Sequence, residues 1–132
     1  MNCPACNASM VAFAVPMRYR EHVPEQSDHA ALCPECLTLT AANGVDVSEE
    51  PRFDRISSAF PTTEAAAVPL ALAVGLLDSL ALHRSALEEL LVDAESAGVD
   101  PLLVLDRLHA QGGVQPVFDL ERRRHQLQQL LD

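Results

Sequence analysis

Cys3-Pro-Ala-Cys6 and Cys33-Pro-Glu-Cys36 are two C-x-x-C pairs, with residues 7–32 between them. A tight turn places both sulfurs of one pair on the same side of the backbone, where N–H groups of the turn can point at them. Two such turns facing each other supply four soft ligands at tetrahedral angles, which suits Zn²⁺. The proline in each pair fixes φ where the turn requires it. The pattern predicts one metal site, with Zn²⁺ as the expected ion, formed by Cys3, Cys6, Cys33 and Cys36.

Disulfide pairing is the alternative use of four cysteines. The start of the chain, Met1-Asn2-Cys3-Pro4, lacks the basic and apolar regions of a secretory signal. We therefore expect a cytoplasmic protein, and in the cytoplasm disulfides are disfavoured and paired cysteines more often hold metal. Because four thiolates fill the coordination sphere, the expected ion is structural rather than hydrolytic.

The two C-P-x-C turns resemble those of the zinc-ribbon superfamily and of the iron site in rubredoxins. In those families a glycine usually follows the second cysteine of each turn, because that residue adopts a left-handed conformation. Asn7 and Leu37 occupy these two positions here. The leucine and the scarcity of aromatic residues favour zinc over a rubredoxin-like iron site. Taken whole, the chain resembles a small haloarchaeal zinc-ribbon family with a helical C-terminal half, which implies a fold and a site but no activity.

The cysteine-containing part, residues 1–45, carries short β-like runs. Met10–Val15 is apolar, and Leu37–Thr40 alternates as a half-buried strand does. Met17–His22 is expected to form one helical turn, and Asn43-Gly44 predicts a turn that closes the module. We interpret residues 1–45 as a zinc ribbon of short antiparallel strands.

Residues 46–63 are polar and contain two prolines, which is typical of a linker. Three apolar side chains in this range, Phe53, Ile56 and Phe60, can dock on a neighbouring surface through one short helix.

Residues 64–132 carry a helical pattern. The stretch 65–82 is apolar on nearly every side, which predicts a central buried helix. Its longest apolar run, 65–77, is too short to span a bilayer, so we expect no membrane association.

Helix-terminal residues predict three further helices. Ser85 followed by Glu88 indicates a capping box, and Gly98 the end of that helix. Asp100-Pro101 indicates the start of the next helix, and Asp119 the start of the last. Four short helices bury their apolar stripes only by packing together, so the predicted fold class is α+β, with the ribbon followed by a small helical bundle.

The charge is strongly acidic. Nineteen Asp and Glu against nine basic residues, every one an arginine, give −10. Such a composition resembles proteins of halophilic archaea, whose molar salt shortens the Debye length to about 3 Å and screens the repulsion. The acidity argues against non-specific nucleic-acid binding, although a local basic patch remains compatible with it.

Other polar residues are weaker candidates for chemistry. His22 and His29 lie between the two C-x-x-C pairs and are alternate ligands, although solvated loop histidines are the simpler interpretation. The basic run Arg122, Arg123 and Arg124 can meet phosphate or an acidic partner, or can form a solvated helix face paired with carboxylates. The sequence has no Gly-rich phosphate loop, G-x-S-x-G or H-E-x-x-H motif, so we expect neither an enzyme nor a small-molecule substrate.

Three functions remain open at this point. The first is a non-enzymatic adaptor, whose Leu-rich helices, particularly residues 120–131, contact a protein partner or a second copy. The second is a nucleic-acid-associated factor of transcription or translation, with Arg18, Arg20 and residues 122–124 touching phosphate. A redox protein with bound iron is a third, and it predicts a coloured protein.

Overall fold

The computed structural model describes residues 1–42, 51–111 and 114–131. Within these ranges a three-stranded antiparallel sheet precedes four α-helices, which confirms the α+β class. The strands are β1 (Val11–Ala14), β2 (His29–Leu32) and β3 (Leu39–Ala41). The helices are α1 (Glu64–Leu76), α2 (Arg84–Ser96), α3 (Pro101–Ala110) and α4 (Leu120–Leu131). Short 3₁₀ segments lie at Met17–His22, Pro24–Gln26, Phe53–Arg55 and Leu77–Leu82.

The sheet has the order β1-β2-β3, so β2 is its central strand. Val11 pairs with Leu32, which pairs in turn with Leu39. The first strand lies inside the predicted run Met10–Val15. The third begins two residues later than expected because Leu37 adopts a left-handed conformation.

The two faces of the sheet have different surroundings. Phe13, Ala30 and Leu32 belong to a large apolar core that also contains the buried residues of the helices. Ala31 belongs instead to a small cluster that contains three of the cysteines. Because successive strand residues point to opposite faces, β2 separates the main core from the cysteines.

The residues predicted as a linker contribute to this main core. Phe53, Ile56 and Phe60 are all buried there. The Phe53 ring lies 5.5 Å from that of Phe13 and 6.0 Å from that of Phe60, centroid to centroid. The division into residues 1–45, 46–63 and 64–132 stays a prediction, and the expected turn at Asn43-Gly44 lies outside the described residues.

The central apolar segment is less regular than predicted. It forms α1 as far as Leu76 and continues as 3₁₀ turns to Leu82, with Ser79 in a non-helical conformation. Among the described residues, one helical segment, Glu64–Leu82, has the length and the apolar composition that are needed to cross a membrane. However, 67% of its most apolar window is buried inside the protein, as in the core helix of a globular fold.

Three of the predicted helix ends are confirmed and one is wrong. The Asp100 side chain accepts a hydrogen bond from the Leu103 N–H, and Gly98 has the positive φ of a helix-terminating glycine. Asp119 likewise accepts from the Arg122 N–H. The Ser85 capping box does not form: α2 begins at Arg84, two residues before the start that an N-cap at Ser85 implies, and within the described chain no side chain caps it. The preceding 3₁₀ segment carries the backbone directly into α2, so Ser85 already lies inside the first turn.

Candidate metal centre

The two C-x-x-C turns share one backbone hydrogen-bond pattern. We name residues 3–8 the first knuckle and residues 33–38 the second. In each, the N–H of the residue after the second cysteine donates to the carbonyl of the first: Asn7 to Cys3 at 2.8 Å, and Leu37 to Cys33 at 3.0 Å. The N–H of the first cysteine in each knuckle donates to the carbonyl of the residue five positions later: Cys3 to Ala8 at 2.8 Å, and Cys33 to Thr38 at 2.9 Å. The two knuckles are therefore local copies of the same turn.

Both knuckles contain the left-handed residue that the resemblance to zinc ribbons implied. Asn7 has a φ of 64° and Leu37 a φ of 62°. For leucine this conformation costs about 1–2 kcal/mol. The Leu37 side chain is fully buried in the main core, and such burial stabilises by about 1.5–3 kcal/mol. Burial therefore offsets the backbone strain at this position.

The knuckles bring the four cysteine sulfurs together. Cys3 Sγ lies 3.5 Å from Cys36 Sγ, and Cys6 Sγ lies 3.4 Å from Cys33 Sγ. All four sulfurs lie within 4.8 Å of one another. A disulfide bond requires about 2.05 Å, whereas a zinc ion bound at about 2.3 Å by four sulfurs sets them about 3.8 Å apart. The four cysteines are free, and their sulfurs form a cluster that can hold one metal ion.

The surroundings of the sulfurs also fit a bound cation. The Ala5 N–H points at Cys3 Sγ and the Cys36 N–H at Cys33 Sγ, each at 3.4 Å. Such bonds favour the thiolate form that a metal requires. Three of the cysteines are buried and Cys6 is exposed, so the cluster is reachable from solvent on one side.

Burial and hydrogen bonding change the pKa values of the thiols in opposite directions. Burial raises the pKa of Cys33 to about 12. At Cys3 burial also disfavours the thiolate, but backbone N–H groups of Cys6 and Ala5 outweigh it and lower the pKa to about 7. A bound cation displaces the proton even from a thiol of high pKa, so the raised pKa of Cys33 is compatible with a role as a metal ligand.

The two candidate histidines lie away from the cysteine cluster. His29 Nδ1 lies 3.0 Å from Asp28 Oδ1. This hydrogen bond lowers the pKa of the Asp28 carboxyl below its usual value. His22 Nε2 lies 3.1 Å from Glu89 Oε2 and 3.7 Å from Glu21 Oε1. The contact between His22 and Glu89 joins the 3₁₀ segment Met17–His22 to α2.

The basic run on α4 is largely engaged within the protein. Arg124 donates two hydrogen bonds to the carboxylate of Asp106, at 2.9 and 3.1 Å. Arg123 donates to the backbone carbonyl of Asp78, and Arg122 is exposed. Of these three arginines, Arg124 pairs with a carboxylate and Arg123 with a backbone carbonyl.

The arginines near the sheet also have intramolecular contacts. The Arg18 guanidinium lies over the Tyr19 ring, 4.6 Å from its centroid. Arg20 donates to the backbone carbonyl of Val15. Four of the arginines proposed to touch phosphate therefore have partners within the protein, and these partners lie on different elements of the fold.

One part of the site had no signal in the sequence. The Gln115 N–H donates to the Glu35 carbonyl at 2.7 Å, and the Val117 N–H donates to the Cys36 carbonyl at 3.1 Å. Gln115 and Val117, which lie shortly before α4, are thus hydrogen-bonded to the second knuckle. Only backbone groups make these bonds, and they carry no residue-type pattern.

Comparison with known proteins gives a family but no described function. A search of curated proteins and a search of solved structures each found no match to this chain. The model of a family described as "Family of unknown function (DUF6276)" matches residues 2–131. That range includes both knuckles and all four helices. The chain therefore belongs to this family of unknown function.

Proposed function

We propose that the protein is a non-enzymatic zinc-ribbon adaptor whose four cysteines hold one structural Zn²⁺ ion. The observation that carries the zinc assignment is the sulfur cluster, with four thiols from two like turns within 4.8 Å. Cys₄ sites of this kind are typical of structural zinc. With all four ligands supplied by the chain, the ion has no open position for water or substrate, which supports a non-catalytic role.

Zinc at this position supplies stability that the small ribbon lacks. The apolar cluster around the cysteines contains few side chains, principally Met10, Ala31 and Ala42. A metal ion supplements a core of this size, and its binding free energy then contributes to folding. Zn²⁺ is favoured over iron because the chain has few aromatic residues to shield a rubredoxin-like redox site, with four Phe, one Tyr and no Trp.

The adaptor role is supported by how the charged groups are arranged. Arg123 and Arg124 make intramolecular contacts, and the net charge is −10. Both features favour a protein partner over a nucleic acid, because phosphate binding requires free cationic side chains. The leucines of α4 are a poor candidate for the contact surface, since Leu120 and Leu127 are buried in the main core.

We also propose that this protein works in a salt-rich solvent. A lysine-free, strongly acidic chain is suited to the salt-rich cytoplasm of a halophilic archaeon, where screening limits self-repulsion. We therefore expect the folded state and its partner interaction to require high salt.

A pull-down of the tagged protein at molar salt, with and without nuclease, tests the proposed function. The adaptor proposal predicts a protein partner that is retained after nuclease treatment. The matched control is Cys33→Ser, which is expected to lose the metal and, with it, a partner bound by the ribbon. Partners that disappear after nuclease treatment would contradict the adaptor proposal and favour the nucleic-acid alternative.

A further inference from the structure

We propose that the segment Gln115–Val117 is a positioning element of the metal centre, and that metal binding is thermodynamically coupled to the docking of α4. We call this segment the latch. The proposal rests on the proposed metal site and extends it: the ribbon and the last helix respond to the metal as one unit.

The latch contacts the second knuckle at the backbone of Glu35 and Cys36, within the turn that presents the sulfurs. The carbonyl that accepts from Gln115 belongs to Glu35, between the two cysteines, and the carbonyl that accepts from Val117 belongs to the ligand Cys36 itself. The orientation of these two peptide groups is fixed by the turn that presents the sulfurs. A change in the turn therefore changes both acceptors of the latch.

Two backbone hydrogen bonds connect the latch to the second knuckle, while its neighbours Val114 and Phe118 pack against the main core. The side chain of Gln115 is exposed, and Val117 is 52% exposed. The described hydrogen bonds between this segment and the knuckle are the two N–H···O bonds, at 2.7 and 3.1 Å.

The latch leads directly into α4, which begins at Leu120. The helix has its own anchors in the core, Leu120 and Leu127, and ties to other elements through Arg123 and Arg124. The latch joins the N-terminal end of this helix to the cysteine cluster, more than 75 residues away along the chain.

Coupling of this kind is reciprocal. If the bound metal favours the turn geometry that accepts the latch, then the latch favours metal binding by the same factor. Each backbone hydrogen bond of the latch contributes modestly, so loss of one is expected to weaken zinc binding by roughly three- to tenfold.

Val117→Pro is the variant that tests the coupling, because it removes the N–H donor to Cys36 and leaves every cysteine in place. Val117→Ala is the matched control, since it shortens an exposed side chain and keeps the N–H. Zinc dissociation constants are measured by competition with a chromophoric chelator at molar salt. The expected result is a roughly three- to tenfold weaker constant for Val117→Pro and an unchanged constant for Val117→Ala.

Hydrogen–deuterium exchange of the unaltered chain provides a second measurement that needs no variant. Removal of zinc is expected to raise the exchange of amides in residues 115–131 while amides of α1 stay protected. A Val117→Pro protein that binds zinc as tightly as the unaltered chain would overturn the coupling. So would exchange in residues 115–131 that does not respond to zinc, or that rises only together with exchange in α1.

The two proposals fail in different ways. A purified chain that binds no metal overturns the proposed metal site and the coupling together. A chain that binds one zinc ion with the same affinity in the presence and absence of the Val117 N–H overturns the coupling alone.

Discussion

Gly75 of α1 lies so close to Leu39 of β3 that a Cβ at position 75 would stand 2.4 Å from the Leu39 Cβ. The glycine therefore permits the central helix to rest on the edge strand that follows the second knuckle. This contact is one way in which the helical half and the ribbon are held in a fixed relation.

Gly75→Ala is expected to destabilise the protein, although alanine is the better helix former by about 1 kcal/mol. The added methyl group overpacks the contact with Leu39, which typically costs about 1–3 kcal/mol. Urea unfolding at molar salt measures the difference.

The control for this variant separates the clash from other effects. Leu39→Ala keeps a Cβ, so the cost of Gly75→Ala is expected to persist in that background. Leu39→Gly removes the Cβ and is expected to abolish the cost. A single Gly75→Ala variant that is more stable than the unaltered chain would show that α1 does not approach β3 as described.

Tyr19 and Asp93 provide a second prediction. The Tyr19 hydroxyl donates to Asp93 Oδ2 at 2.6 Å and joins the 3₁₀ segment Met17–His22 to α2. Tyr19→Phe removes a hydrogen bond to a charged group, with an expected loss of about 1.5–3 kcal/mol in the free energy of unfolding.

The same pair predicts a pH dependence. Burial, together with the Asp93 carboxylate, raises the pKa of Tyr19 to about 12, against about 10 in an unfolded chain. The folded state therefore holds this proton more tightly, and the associated stability is present below pH 10 and is lost as the pH rises towards 12. Urea unfolding between pH 9 and pH 12 is expected to show this decline in the unaltered chain and less of it in Tyr19→Phe. Parallel declines in both proteins would contradict the assignment.

The left-handed residues of the two knuckles form a matched pair. Leu37→Gly relieves backbone strain but removes a buried side chain, so we expect a net destabilisation of about 1–3 kcal/mol. Asn7→Gly relieves the same conformation at an exposed position and is expected to stay within about 0.5 kcal/mol of the unaltered chain. Equal effects at the two positions, measured by thermal unfolding with zinc bound, would show that the Leu37 side chain contributes nothing to the core.

Zinc affinity is expected to weaken as the pH falls. The buried Cys33 thiol, whose pKa is raised to about 12, holds its proton in the metal-free protein, and zinc must displace it. Each displaced proton changes the apparent affinity by about tenfold per pH unit. Chelator competition between pH 6 and pH 8 measures this slope, and an affinity independent of pH would exclude thiolate ligation.

The sequence predicted the clustering of the four cysteines better than it predicted the sheet around them. The C-x-x-C pairs and the caps at Asp100 and Asp119 are local patterns, and local hydrogen bonds determine their geometry. The central strand β2 was missed because His29-Ala-Ala-Leu32 lacks both β-branched residues and an alternating pattern. Its conformation is determined by pairing with strands on both sides, which is a non-local effect.

The misplaced start of α2 and the latch have a similar explanation. Ser85 and Glu88 match a capping box, but the conformation of the preceding 3₁₀ segment decides where the helix begins. The latch consists of backbone hydrogen bonds between segments distant in sequence. Such bonds depend on how the chain packs and not on residue type.

Metal analysis of the purified protein and of two variants tests the central claim most directly. We expect one zinc ion per chain in the unaltered protein and in His29→Ala, whose imidazole lies against Asp28 and not among the sulfurs. Cys33→Ser is expected to lose the ion. Stoichiometric iron in a coloured protein, the absence of any bound metal, or full retention of zinc in Cys33→Ser would contradict the four-cysteine zinc site.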